Sequence, residues 1–140
     1  MKILLPVDGS DYTAKMLAYV SAHSPLFGPA NEYTVLTVKP TLPPRVRAAL
    51  GKAEVTSYYA EETEKVLTPV VKLLAQQGID ARHEWKIGSA GEIIAQFADA
   101  GGFDLLIMGS HGHTSLGNLV MGSVTTEVLA HSKVPVLLVR

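Results

Sequence analysis

The chain has 140 residues, no cysteine and a formal net charge of −1. The length fits one domain spanning residues 1–140, and the lack of cysteine excludes disulfides and thiolate metal sites. A nearly neutral chain has no overall basic field, so nucleic acid is not an expected partner.

The amino-terminal residues, Met1 to Val7, are apolar and contain one cation, Lys2, before Asp8-Gly9 follows at once. This pattern fits neither a secretory signal peptide nor a membrane span. We therefore expect a cytoplasmic protein that does not insert into a membrane.

Short apolar runs predict five strands, and helical spacing predicts four helices between them. The strands are expected at Ile3 to Val7, Tyr33 to Val38, Arg82 to Ile87, Leu105 to Met108 and Val136 to Val139. The helices are expected at Asp11 to Ala22, from about Glu54 to Gln77, after Ser89, and from Gly122-Ser123 onward. Alternating strands and helices predict an α/β fold, a doubly wound five-stranded parallel sheet with helices on both faces.

Three details of these helices are also predicted. The buried face of the first helix is expected to carry Ala14, Leu17, Ala18 and Ser21. Pro69 is expected to kink or break the long second helix. Ser89 followed by Glu92 predicts a capping box at the start of the third.

The segment Lys39 to Lys52 falls outside the alternation of strands and helices. It is rich in proline and long for an α/β connection, which argues against a regular element. Two interpretations are left open, a mobile lid and an inert surface insertion.

Asp8 follows the first strand directly. In an open α/β sheet, ligands bind beyond the carboxyl ends of the strands, where the strand order reverses. A carboxylate at that edge can accept hydrogen bonds from both hydroxyls of a ribose. The alternative is an N-cap of the first helix, a role that Ser10 or Asp11 could also fill.

The strongest pattern in the chain is Gly109-x2-Gly112-x9-Gly122-Ser123. Glycines permit positive φ and the close approach of bulky oxygens, so that backbone N–H groups point at an anion. Ser123 falls in the first turn of the last helix, whose unpaired N–H groups favour a phosphate. The alternative is that the glycines only form turns and Ser123 only caps its helix.

A lysine is missing from this pattern. The spacing Gly117-x4-Gly122-Ser123 is similar to a Walker loop but lacks the lysine that precedes its hydroxyl residue. Backbone amides, a helix dipole and a divalent ion such as Mg²⁺ would then balance the charge of a phosphate.

Two histidines, His111 and His113, are the basic residues of this region. We expect them to contact phosphate or solvent rather than a metal ion, because no acidic residue is near them in sequence. No G-x-G-x-x-G follows the first strand and no G-x-S-x-G occurs, which argues against hydride transfer and esterase chemistry. We assign no catalytic residue and expect binding rather than turnover.

From end to end, the chain resembles the universal stress protein family. The matching stretches are Lys2-Ile-Leu-Leu-Pro-Val-Asp8-Gly-Ser10, Leu105-Leu-Ile-Met-Gly-Ser-His-Gly112, Gly122-Ser-Val-Thr125 and Val134-Pro-Val-Leu-Leu-Val139. They resemble the family's first strand and acidic turn, fourth strand and first phosphate loop, second phosphate loop, and last strand. The complete glycine motif is that of the family members that bind ATP.

The resemblance implies a strand order of 3-2-1-4-5, with a nucleotide between strands 1 and 4. It implies that Asp8 holds the ribose, and that adenine and sugar are surrounded by Pro6, Val7, Val38 and Met108. The residues implied at the phosphates are Gly109, His111, Gly112, Gly122, Ser123, Val124 and Thr125. The implied ligand is ATP, or AMP or ADP in its place, together with Mg²⁺.

The resemblance also implies a homodimer. The last strand, Val136, Leu137, Leu138 and Val139, would pair with its copy, which covers an apolar sheet edge. The leading hypothesis is a regulator in the stress response. In it, a bound nucleotide changes the conformation of the loop Gly109 to Asn118 or of the segment Lys39 to Lys52, and thereby changes which partners the dimer binds. The alternatives are a slow ATPase or phosphotransferase, and an interaction module that does not depend on nucleotide.

Overall fold

Residues 1–113 and 120–140 are described by the computed structural model of this chain. The strands are β1 (Lys2–Pro6), β2 (Glu32–Lys39), β3 (Arg82–Ile87), β4 (Leu105–Gly109) and β5 (Val136–Val139). The helices are α1 (Asp11–Ala22), α2 (Pro44–Leu50), α3 (Lys52–Gln76), α4 (Ala90–Ala100) and α5 (Ser123–His131). All strand pairs are parallel and their order is β3-β2-β1-β4-β5, which confirms the predicted fold and strand order.

Alternate residues of the central strands point into two separate apolar layers. Ile3 of β1 packs with residues of α1 and α3 such as Met16. The next residue, Leu4, packs instead with Ile94 of α4 and Val128 of α5. Each such side chain contributes about 1.5–3 kcal/mol when it is fully buried. Helices therefore cover both faces of the sheet, which is why its inner strands are apolar throughout.

α1 buries a different face from the one that its alanines predict. Its buried residues are Thr13, Met16, Leu17 and Val20. Ala14 and Ala18 are exposed. The larger apolar side chains remove more surface from water than alanine does, so they decide how the helix is rotated. As a result, Thr13 points inward beside the turn that follows β1.

α3 runs without a break past Pro69, so the predicted break does not occur. Pro69 lies on the exposed side of the helix, while Val66 and Val70 are buried on the other. Packing of this long apolar face outweighs the loss of one backbone hydrogen bond.

α4 begins where the sequence predicts. Ser89 is its N-cap residue and Gly101 its C-cap residue. The side chain of Ser89 makes no capping hydrogen bond, so the predicted capping box is not formed. The sequence pattern therefore located the helix start correctly but not its hydrogen bonds.

The segment Lys39 to Lys52 contains helix α2, contrary to the prediction of no regular element. Pro44 occupies the first turn, where a missing N–H breaks no helical bond and the fixed φ suits the helix. The residues after it are mostly good helix formers. α2 has no buried residue, and the backbone N–H of Leu42 donates to Tyr59 Oη of α3 at 2.8 Å.

The two edge strands, β3 and β5, differ in composition. Among the described residues, no strand pairs with the outer side of either. β3 carries Arg82, Glu84 and Lys86, and five of its six residues are exposed. β5 carries no charge, and all of its residues are half-buried. Charged residues are a common means of keeping an edge strand from pairing.

None of the helices in these two ranges of the chain combines the length and the apolar character needed to cross a membrane.

Pro69→Ala should stabilise the protein, because it restores a backbone N–H to α3 and removes a ring that crowds the carbonyl of Lys65. A proline in the interior of a helix lowers the stability of the folded state by about 3 kcal/mol. By restricting the unfolded chain, the same proline raises the free energy of unfolding by up to about 1 kcal/mol. We expect the free energy of unfolding to rise by about 1–2 kcal/mol, measured by urea denaturation with circular dichroism. The exposed neighbour Thr68→Ala is the control and should change it by less than about 0.5 kcal/mol. An unchanged or lower value for Pro69→Ala would contradict the prediction.

Candidate functional site

A cleft lies at the carboxyl ends of β1 and β4, which are neighbours in the sheet. α1, which follows β1, packs on one face of the sheet, and α5, which follows β4, packs on the other. Connections that leave in opposite directions open a crevice between the two strand ends. The cleft has a volume of about 620 Å³, within the usual range for small-molecule sites.

All twelve residues that the sequence and the family resemblance assigned to a site line this cleft. They are Pro6, Val7, Asp8, Val38, Met108, Gly109, His111, Gly112, Gly122, Ser123, Val124 and Thr125. Pro6 ends β1 and residues 7–8 follow it, Val38 is in β2, residues 108–109 end β4 and residues 111–112 follow it, and Gly122 is the N-cap of α5, which residues 123–125 begin. The structure thus brings together residues that are more than 100 positions apart in sequence.

Five further residues line the cleft beside those twelve: Thr13, Pro40, Ala90, Ile94 and His113, of which only His113 was expected to contact phosphate or solvent. Ala90 and Ile94 come from α4, and only the packing of that helix against the sheet places them there. Pro40 follows Val38 by two residues and extends the same wall. Thr13 was missed because the wrong face of α1 was expected to be buried.

The carboxylate of Asp8 is held in place by the start of α1. Its Oδ1 accepts hydrogen bonds from the backbone N–H of Ser10 at 2.9 Å and from Thr13 Oγ1 at 2.9 Å. The backbone N–H of Asp8 donates to the same Thr13 Oγ1 at 3.1 Å. Ser10, not Asp8, is the N-cap residue of α1, so the capping interpretation of Asp8 is wrong.

Close approach, rather than positive φ, explains the three motif glycines. Positive φ occurs at other glycines, and not at Gly109, Gly112 or Gly122. A Cβ on Gly112 would lie 2.7 Å from Asp8 Oδ2, and one on Gly109 would lie 2.6 Å from the Cβ of Tyr12. At Gly122 the nearest atom, the Cα of His111, would be 3.2 Å away. The expected positive φ is therefore wrong, and glycine is instead favoured at these positions because neighbouring atoms leave little or no room for a Cβ.

Two hydrogen bonds join the two ends of the glycine motif. The backbone N–H of Gly122 donates to the carbonyl of Ser110 at 2.7 Å. Thr125, which is only 2% exposed, donates from Oγ1 to the carbonyl of Gly109 at 3.1 Å. The first turn of α5 is thereby fixed against the end of β4. Residues 114–119, which include part of the predicted loop Gly109 to Asn118 and also Gly117, lie outside the described residues.

The amino-terminal end of α5 faces the cleft. Its N-cap residue is Gly122, which has no side chain to cap the helix, and the first helical bond is from Thr126 N to Gly122 O at 3.0 Å. The N–H groups of Ser123, Val124 and Thr125 therefore have no partner within the helix. Their positive dipole end favours an anion in the cleft.

Both histidines lie at the cleft. His113 Nε2 is 2.7 Å from the carbonyl oxygen of Asp8, and His111 Nδ1 is 2.9 Å from Ser110 Oγ. The His111 ring also packs against Tyr12, with the two ring centroids 4.8 Å apart. Within the described ranges, no lysine or arginine lines the cleft, and no three metal-binding side chains come together.

The two sides of the cleft differ in chemistry. Because β2 and β4 flank β1, Val38 and Pro40 lie on the opposite side of Asp8 from the β4–α5 junction. Apolar side chains of β2 and α4 form one part of the lining, and glycines and amide groups form the other. Such a site suits a ligand with an apolar group at one end and an anion at the other.

The fold and the position of the cleft define an open, doubly wound α/β protein with a ligand cleft where its strand order reverses. The family model of the universal stress protein family matches residues 1–140. The chain therefore belongs to the universal stress protein family.

Individual relatives agree with this assignment. The chain is 32% identical to universal stress protein Slr1230 of Synechocystis over 99% of its own length, and spans only 42% of that longer protein. It is 31% identical to universal stress protein MJ0577 of Methanocaldococcus jannaschii, covering 99% of this chain and 94% of that one, with a TM-score of 0.83 to its solved structure. A structure of the universal stress protein from Archaeoglobus fulgidus in complex with dAMP shares the fold at 18% identity, with a TM-score of 0.71, covering 100% of this chain and 98% of that one.

Gly112→Ala should destabilise the protein through its contact with Asp8. In the wild type, the new methyl group would press on the fixed carboxylate, and we expect the free energy of unfolding to fall by about 1 kcal/mol. In an Asp8→Ala background the same substitution should cost almost nothing, because the oxygen that it meets is gone. Urea denaturation of the four proteins gives the coupling energy, expected at about 1 kcal/mol. If Gly112→Ala lowers the free energy of unfolding equally in both backgrounds, its effect does not arise from the contact with Asp8.

Proposed function

We propose that this protein binds an adenine nucleotide in the cleft between β1 and β4 and acts as a nucleotide-dependent regulator in the stress response. The nucleotide is ATP, or AMP or ADP in its place, bound with Mg²⁺. One observation carries the proposal. Residues chosen from separate parts of the sequence converge on one cleft that is apolar on one side of Asp8 and rich in amides on the other.

The apolar side suits the adenine base. Val38, Pro40 and Ile94 offer flat, uncharged surface there, and Met108 lies at the end of β4 beside them. The carboxylate of Asp8 lies between this wall and the glycine motif, where the sugar of a bound nucleotide would be. Ribose hydroxyls donate well to a carboxylate, and hydrogen bonds to charged groups are among the stronger ones.

The β4–α5 junction suits the phosphates of a nucleotide. The free N–H groups at the start of α5, the glycines and Ser123 would surround them. These groups carry only partial charges, so the full charge of a triphosphate calls for a divalent cation as well. Mg²⁺ typically binds through substrate phosphates and retained waters rather than through a protein cage.

Binding suits the geometry better than turnover. His113 Nε2 is already in contact with the carbonyl of Asp8, and His111 Nδ1 with Ser110 Oγ. A general base for hydrolysis would need to reach an attacking water instead. The dAMP complex of the Archaeoglobus fulgidus relative supports adenine-nucleotide binding in this fold. Occupancy of the cleft would act on the loop after β4 or on the α2 segment, which Pro40 connects to the cleft.

We further propose that the chain is a single domain that forms a cytoplasmic homodimer through β5. The hydrogen bonds Leu106 N to Pro135 O and Ser110 N to Val139 O turn the backbone of residues 135 and 139 toward β4. Because backbone direction alternates along a strand, Val136 and Leu138 present their N–H and C=O groups to the outside. A second β5, related by a two-fold axis, would pair with these groups and cover the apolar edge.

Ser123→Pro should weaken ATP binding by removing one backbone N–H from the phosphate site. Proline is tolerated at the first position of a helix, and Gly122 before it is already extended, so α5 should persist. Ser123→Ala is the matched control, since it removes the hydroxyl but keeps the N–H. By isothermal titration calorimetry with Mg²⁺, we expect the Kd of Ser123→Pro to be about 10-fold higher than that of Ser123→Ala. Equal Kd values would rule out the amide contact, and a wild type that binds no adenine nucleotide would refute the proposed function.

Val136→Pro should weaken the dimer. It removes an outward N–H without taking a hydrogen bond from the β4–β5 pair, and proline is tolerated at the start of an edge strand. A symmetric dimer carries the change twice, so we expect the dimer Kd to rise by at least about 10-fold in sedimentation experiments. Val136→Ala trims the side chain, keeps the N–H and should stay dimeric. A Val136→Pro protein that remains fully dimeric would place the interface elsewhere.

A further inference from the structure

Thr13 lies in the cleft and is tied to Asp8 at two points. Its Oγ1 donates to Asp8 Oδ1 at 2.9 Å and accepts from the backbone N–H of Asp8 at 3.1 Å. Thr13 is only 7% exposed. The other buried residues of α1 are apolar, so packing alone would be served as well by valine, which has the same shape.

The two oxygens of Asp8 are consequently not equivalent. Oδ1 accepts from both the N–H of Ser10 and the hydroxyl of Thr13, which fills its two lone-pair positions. A Cβ on Gly112 would come within 2.7 Å of Oδ2. Glycine at 112 thus keeps the approach to Oδ2 free, and Oδ2 is the oxygen that faces the glycine side of the cleft.

We propose that Thr13 is a positioning residue that sets the sugar specificity of the nucleotide site. By holding Oδ1, it directs Oδ2 at one ribose hydroxyl and so makes the site distinguish ribonucleotides from deoxyribonucleotides. This inference rests on the proposed function, since it concerns the sugar of the same nucleotide. Its physical basis is preorganisation, because a carboxylate that is already fixed loses no rotational freedom when the sugar binds.

Without the Thr13 hydroxyl, Asp8 is held by a single hydrogen bond from Ser10 and can rotate about its side-chain torsions. Part of the binding free energy of the ribose hydroxyl is then spent on ordering the carboxylate. A nucleotide that lacks this hydroxyl never made the contact and loses little. Removing the Thr13 hydroxyl should therefore weaken ribonucleotides selectively.

The test compares Thr13→Val, which keeps the shape, with Thr13→Ser, which keeps the hydroxyl. Thr63→Val is the matched control, since Thr63 is also buried and donates to a backbone carbonyl, that of Tyr59, away from the cleft. Each protein is titrated with ATP, 2′-deoxy-ATP and 3′-deoxy-ATP by calorimetry, and its melting temperature is measured.

We expect the wild type to bind ATP about 10-fold more tightly than at least one deoxy analogue, as for one hydrogen bond to a charged group. In Thr13→Val this ratio should fall toward 1, mainly through weaker ATP binding, and Thr13→Ser should restore it. Thr63→Val should melt at a lower temperature than the wild type but keep the wild-type ratio.

An unchanged ratio in Thr13→Val, or no preference for ribose in the wild type, would overturn the role of Thr13 while leaving nucleotide binding intact. If the wild type binds none of the three ligands, the proposed function itself fails. Should Thr13→Val not fold, Thr13→Ala against Thr13→Ser decides the question by the same ratio.

Discussion

The hydrogen bond from Gly122 N to Ser110 O is the contact on which the geometry of the cleft depends. At 2.7 Å, it fixes the start of α5 against the end of β4, and the bond from Thr125 to Gly109 holds the same junction one turn later. The helix end is thereby aimed into the crevice that the strand order opens beside β1. Glycine is required at 109 and 112 at this junction, because Tyr12 leaves no room for a Cβ at the first position and Asp8 leaves none at the second.

Charge is distributed in the cleft in a way that suits reversible binding. Partial charges of amides and a helix end lie on one side, a single carboxylate lies in the middle, and apolar side chains form the far wall. In the described part of the chain, no full positive charge from lysine or arginine lines the cleft. In the proposed function, a nucleotide held by partial charges and Mg²⁺ would exchange as its concentration changes, as a regulator requires.

Much of the fold was predictable, because strand composition and helix boundaries are local properties. β3, β5 and α1 have the predicted bounds. The strand order was predicted from the resemblance to the family. The errors arose where tertiary contacts decide. The rotation of α1, and with it Thr13, depends on which side chains the sheet buries, and the role of the glycines depends on neighbours such as Tyr12 and Asp8. The prediction of no regular element at α2 failed for a local reason. A proline in the first turn of a helix, as at Pro44, is compatible with the helix, whatever the number of prolines around it.

The unequal edges of the sheet determine how far such molecules can assemble. A protein with two apolar edges could add copies without limit and grow into fibres. In this chain, antiparallel pairing of β3 with its own copy about Glu84 would set Glu84 against Glu84 and Arg82 against Lys86, and like charges opposite each other are destabilising. In the proposed dimer both uncharged β5 edges are used up in one contact. Lateral growth of the proposed dimer would therefore end after a single addition, because the charges on β3 disfavour pairing at the remaining edges.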